Sequence, residues 1–115
     1  MKLLVCGGRD FADREGLGRA LDAAHAKRPI TILIHGGARG ADRLAGRWAE
    51  ERGILVAEVR ALWKQHGNGA GPIRNRGMLA LGPDGVIAFP GGNGTADMGS
   101  IATAAGVPVW RPLGL

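Results

Sequence analysis

Three glycine-rich stretches carry the residues best suited to chemistry: Gly7-Gly8-Arg9-Asp10, His35-Gly36-Gly37-Ala38-Arg39-Gly40-Ala41-Asp42 and Pro90-Gly91-Gly92-Asn93-Gly94-Thr95. Each directly follows an apolar run. Glycine lets a backbone adopt positive φ and come close to a ligand. A helix beginning just afterwards offers unpaired N–H groups and partial positive charge. That pairing suits a phosphate or another anion. Arg9 and Arg39 in these loops, and Arg74 further on, add bidentate donors, while Asn75 offers an amide for a base or ribose. Arg9 or Arg39 could instead pair with Asp10 or Asp42, and Asp42 also suits the first turn of a helix. His35 can be read as a strand-end polar residue or as a base. Trp63, beside several glycines, either stacks on a base or packs under its loop.

These loops need elements to hold them. Apolar runs at Lys2–Gly7, Thr31–His35, Ile54–Val59, Val86–Phe89 and Val107–Trp110 read as five short buried strands. Between them lie helical patterns. One runs from Asp13, a capping residue, to Lys27 with Leu17, Ala20, Leu21 and Ala24 on one face. A second runs from Gly40 to Arg52 with Leu44, Ala45, Trp48 and Ala49 on one face, and Gly53 after it. Pro72 fits the first turn of a third, to Leu81, and Thr95 is expected to cap a fourth. Arg60–Gly71 is the least regular segment. Strand and helix alternate throughout, as in a single α/β domain with a parallel sheet of about five strands and helices on both faces. In such a sheet the strand-to-helix loops share one edge, where ligands bind.

The 115 residues suit one compact domain, and a hydrophobic content of 45% supports a true core. Twelve of the fifteen basic residues are arginine, against ten acids. Such a balance fits nucleotides, nucleic acid or acidic metabolites, and also plain solvated helix faces. A single cysteine, Cys6, excludes an internal disulfide framework, and His25, His35 and His66 lack metal-ligand spacing. No metal or resident cofactor is expected. No apolar stretch approaches the roughly 20 residues of a membrane span. No secretory segment opens the chain, so a cytoplasmic protein without membrane partners is expected. G-x-G-x-x-G, G-x-x-x-x-G-K-[ST] and G-x-S-x-G patterns are all missing, which disfavours dinucleotide oxidoreductases, phosphate-loop ATPases and serine hydrolases.

The stretches "GGRDF" (7–11), "HGGARGAD" (35–42), "AGPIRN" (70–75) with Met78, and "AFPGGNGT" (88–95), in this order, resemble the YspA-like branch of the SLOG superfamily. That superfamily is related to lysine decarboxylase-like cytokinin-activating proteins and to the DNA-processing protein DprA. The resemblance implies a Rossmann-like sheet and a pocket for nucleotides or nucleotide-derived ligands. It suits a sensor or signalling module of bacterial or phage origin. One departure matters. The cytokinin-activating enzymes carry P-G-G-x-G-T-x-x-E, and Met98 stands where that glutamate would be. Methionine cannot activate water or stabilise an oxocarbenium-like centre. Asp97 lies one residue early, about 100° round the helix. Asp97, Asp10 and Asp42 are therefore the weak catalytic candidates for an N-glycosidic hydrolase. A DprA-like nucleic-acid module is a third reading, and homo-oligomerisation is expected of so small a fold.

Overall fold

In the computed structural model, which describes residues 1–113, strands and helices alternate along the chain. They are β1 (Lys2–Cys6), α1 (Arg14–Lys27), β2 (Ile32–His35), α2 (Ala41–Glu51), β3 (Leu55–Glu58), α3 (Trp63–His66), α4 (Ala70–Ala80), β4 (Gly85–Ala88), α5 (Asn93–Ala104) and β5 (Val109–Trp110). All strand pairs are parallel, in the order β3-β2-β1-β4-β5.

β1 sits at the centre, with Leu3 beside Leu33 and Gly85, and Leu4 beside Ile34 and Val86. Buried on both faces, it can carry only apolar side chains, which is why Leu3, Leu4, Val5 and Cys6 form an unbroken run. Successive side chains go to opposite faces. Leu3, Val5, Leu33 and Ile87 pack against Leu17, Leu21, Ala45, Trp48 and Ala49 of α1 and α2. Leu4, Cys6, Ile34, Val86 and Ala88 pack against Met78, Met98 and Ala102 of α4 and α5. The helices thus cover both faces. The chain changes direction across the sheet between β1 and β4, the place where open α/β sheets bind ligands.

Local signals explain most element ends. Asp13 caps α1, its carboxylate accepting from Gly16 N at 2.9 Å. Trp48 is buried, with its indole N–H donating to Asp22 at 2.9 Å. The starts of α4 and α5 differ from expectation. α4 begins at Ala70 rather than Pro72, because a 3-10 turn over Gly67–Gly69 runs straight into it. Pro72 is its third residue, where the missing N–H still costs no intrahelical bond. The irregular segment accordingly holds the four-residue α3. α5 begins at Asn93 with Gly92 at the cap, so Thr95 is its third residue and not its cap. Among the described residues, no helix is long and apolar enough to cross a membrane.

Candidate functional site

The loops after β1, β2 and β4 meet at the C-terminal edge of the sheet and interlock. Gly8 N–H donates to Pro90 O at 2.8 Å, and Ala41 N–H to Gly8 O at 3.2 Å. Gly40 has φ +80°, and a Cβ there would collide with the carbonyl of Gly8. A Cβ on Gly91 would meet Thr95 Oγ1 and would lie 2.7 Å from Gly8 N. Bare backbone at these positions serves the contact of one loop with another. Gly92 and Gly94 differ: among the described residues, a Cβ on either would meet nothing within 4 Å. They open onto space at the start of α5. The first backbone bond of that helix is Ala96 N–H to Gly92 O, at 3.1 Å. Among the described residues, the N–H groups of Asn93, Gly94 and Thr95 therefore have no backbone partner.

That space is a cleft of about 580 Å³ between the loops and α4. Gly7, Gly8 and Arg9 border one side, Gly92 to Thr95 the other, with Asp42, Arg74, Asn75 and Asp97 around them. Two adjacent residues of α4 tie the edge together. Asn75 is buried; its amide donates to Gly94 O at 3.1 Å and to Asp97 Oδ2 at 2.9 Å. Arg74 donates to Gly36 O at 2.9 Å and to Asn75 Oδ1 at 3.1 Å. Both stand in the second turn of α4 and reach the loops after β2 and β4.

Asp42 does more than sit in the first turn of α2. Its buried Oδ2 accepts from Gly36 N at 3.0 Å and from Ala38 N at 3.2 Å, which fixes the loop after β2. Burial pushes its carboxyl above the usual value, against the pull of those N–H groups, His35 and Arg74. His35 is buried, and its Nδ1 accepts from Gly37 N at 2.9 Å. Burial lowers its pKa, outweighing Asp42 and Glu58. A neutral ring with Nδ1 accepting carries its proton on Nε2. His35 borders neither this cleft nor the adjoining one, and neither do Asp10, Gly40, Pro90 and Gly91. Asp10 pairs with Arg39 at 3.5 Å in solvent. Arg9 lies 5.7 Å above the ring of Trp63, so that ring supports an arginine.

The helix register separates Asp97 from Met98. Met98 is fully buried in the core, while Asp97 turns to the cleft. Of the two, the residue one position early is the one that borders the cleft, and Asn75 holds its carboxylate.

A second cleft of about 690 Å³ adjoins the first, over the ends of β2 and β3, bordered by Gly36, Gly37 and Arg39 among others. It brings in Arg43, Glu58 and Arg60, which sequence reasoning missed. The signal existed. Arg60 follows the third strand on the same edge as the glycine loops, and Arg43 directly follows "HGGARGAD", in the first turn of α2.

Sheet order, crossover and cleft together define a doubly wound, Rossmann-like α/β domain with an open crevice where the strand order reverses. Within that class the chain belongs to the YspA, cpYpsA-related SLOG family (YAcAr), whose family model matches residues 1–66. It is also similar to the Gene 61 protein of Mycobacterium phage D29, at 40% identity over 116 residues that span 94% of this chain and 93% of that protein.

Proposed function

We propose that this protein binds a nucleotide or nucleotide-derived, phosphate-bearing ligand in the cleft between the loops after β1 and β4, as a sensor or signalling module. The observation that carries this reading is the start of α5. Among the described residues, three N–H groups there lack backbone partners, two glycines face open space, and Arg9 and Arg74 border the same cleft. An anionic group satisfies those donors and the helix dipole at once. Membership of the SLOG family agrees with a nucleotide-related ligand. The base and ribose would lie along α4, near Asn75 and Met78.

A second reading has its own observation: Asp97 borders the cleft and is oriented by Asn75. A carboxylate so placed suits cleavage of a nucleoside monophosphate's N-glycosidic bond. One experiment separates the two. Purified protein is melted with nucleotides, cyclic nucleotides and ribose 5-phosphate, and each mixture is analysed by HPLC after overnight incubation. Binding raises Tm and returns the ligand intact. Release of free base, abolished by Asp97→Asn, would replace the sensor with a hydrolase. Binding that scales with strand length and falls steeply with salt would instead point to nucleic acid.

A further inference from the structure

The second cleft holds an arginine cluster of which a mononucleotide in the first cleft would meet only Arg9 and Arg74. Five guanidinium-bearing residues border it, Arg9, Arg39, Arg43, Arg60 and Arg74, against one bordering carboxylate, Glu58. They come from five places in the chain: the loops after β1, β2 and β3, the first turn of α2, and α4. A charge run on a solvated face would come from one element. Here the topology gathers them.

Their mutual repulsion is poorly relieved. Glu58 is engaged by Arg60 at 2.5 Å, which holds the Glu58 carboxyl below its usual pKa. Arg39 meets Asp10 at 3.5 Å with both side chains mostly in water, where an ion pair contributes little. Arg9 and Arg43 form no ion pair among the described residues. Arg43 also stands at the N-terminal end of α2, where the helix dipole disfavours a cation. An anion in this cleft would relieve every one of these strains.

The two clefts are continuous. Arg9, Ala38, Trp63 and Arg74 border both. Each alone falls within the roughly 300–1,000 Å³ that one small ligand fills. Together they fit a ligand longer than a mononucleotide.

We propose that the ligand carries phosphate beyond that of a nucleoside monophosphate, seated in the arginine cleft while the nucleoside part occupies the cleft at α5. This rests on the nucleotide-binding reading above. The extra phosphate can belong to a nucleoside polyphosphate or to a diphosphate bridge leading to a second sugar. The chemistry recognised is the same: phosphate oxygens met by the guanidinium groups of Arg43, Arg60 and the shared Arg9 and Arg74.

The test is calorimetric titration, at one fixed ionic strength, of adenosine and guanosine 5′-monophosphates, 5′-triphosphates and diphosphate-linked riboses. It uses the wild type and the double variant Arg43→Ala/Arg60→Ala. Both residues are exposed, so the variant is expected to fold, and circular dichroism checks this. At least one extended compound should bind the wild type about 10- to 100-fold more tightly than its monophosphate, and in the double variant that ratio should fall below about threefold. Preference for the triphosphate or for the bridged ribose names the source. Equal affinity for monophosphate and extended compounds would overturn the inference and leave the nucleotide reading standing. So would a preference that survives in the double variant. No binding by any compound would overturn the nucleotide reading itself.

Discussion

Asp42→Ala is expected to unfasten the loop after β2. The carboxylate accepts two backbone N–H groups, Gly36 at 3.0 Å and Ala38 at 3.2 Å. Gly36 is buried, so its orphaned N–H carries a desolvation cost of about 1–3 kcal/mol. Ala38 is half-buried, and its N–H can turn to water. Removing a buried carboxyl offsets part of the loss. The net cost is about 2 kcal/mol, and at roughly 4 °C per kcal/mol for a domain of this size Tm falls by about 8 °C. Asp42→Asn keeps an oxygen to accept both bonds and should cost less than about 1 kcal/mol. The two variants also separate by pH. Burial raises the Asp42 carboxyl above 3.8 in the folded state, so the folded protein binds this proton more tightly than the unfolded chain. The stability contributed by this group therefore falls as pH rises from about 3.8 through the raised folded value. Asparagine does not titrate. The Tm of Asp42→Asn minus that of the wild type should grow with pH across that window and then level. Calorimetric melts at pH steps from about 4 to 8 read it. A difference that shrinks as pH rises would mean that the two N–H bonds outweigh burial, and Asp42→Ala melting with the wild type would refute the fastening itself.

Gly40→Ala places a side chain at φ +80° against the carbonyl of Gly8 and should cost about 1–3 kcal/mol in urea unfolding. Gly18→Ala, with nothing within 4 Å and inside α1, should stabilise by about 0.5–1 kcal/mol, and the reverse order would refute the interlocking of the loops. The Cys6 thiol, at the floor of the cleft, is pushed up to about 12 by burial, so a thiol-specific reagent at pH 8 should react far more slowly than with a free thiol, and rapid stoichiometric labelling would contradict its burial. Asn75→Asp removes both donated bonds and sets a second carboxylate beside Asp97 and Gly94 O. It should lower Tm at pH 7 and recover part of the loss in acid, as one of the pair takes up a proton.

The sheet was legible because its signals are local and repeated: five apolar runs, four amphipathic patterns and loop glycines between them. Which faces the helices cover follows from the alternation along β1, where Leu3 and Val5 go one way and Leu4 and Cys6 the other. The boundaries of α4 and α5 were not legible. Pro72 and Thr95 suit first-turn positions generally, and the 3-10 turn and bare Gly92 that set the true starts carry no distinctive side chain. At the edge, the sequence marked three glycine loops that do come together, but not the work each glycine does. Gly40 and Gly91 are fixed by contacts with Gly8, a residue more than 30 positions from Gly40 and more than 80 from Gly91. Arg43 and Arg60 lie just beyond the glycine motifs, and the sheet order brings them beside Arg9 and Arg74.

The most direct test of nucleotide binding at the reversal of strand order is a 1H–15N spectrum of the labelled protein titrated with adenosine and guanosine 5′-monophosphates and their diphosphate-linked riboses. Binding there should move the amide signals of Gly8, Asn93, Gly94 and Thr95 together, in a saturable way, while those of α1 stay in place. Saturable shifts confined to other surfaces, or none at these four amides with any compound, would contradict it.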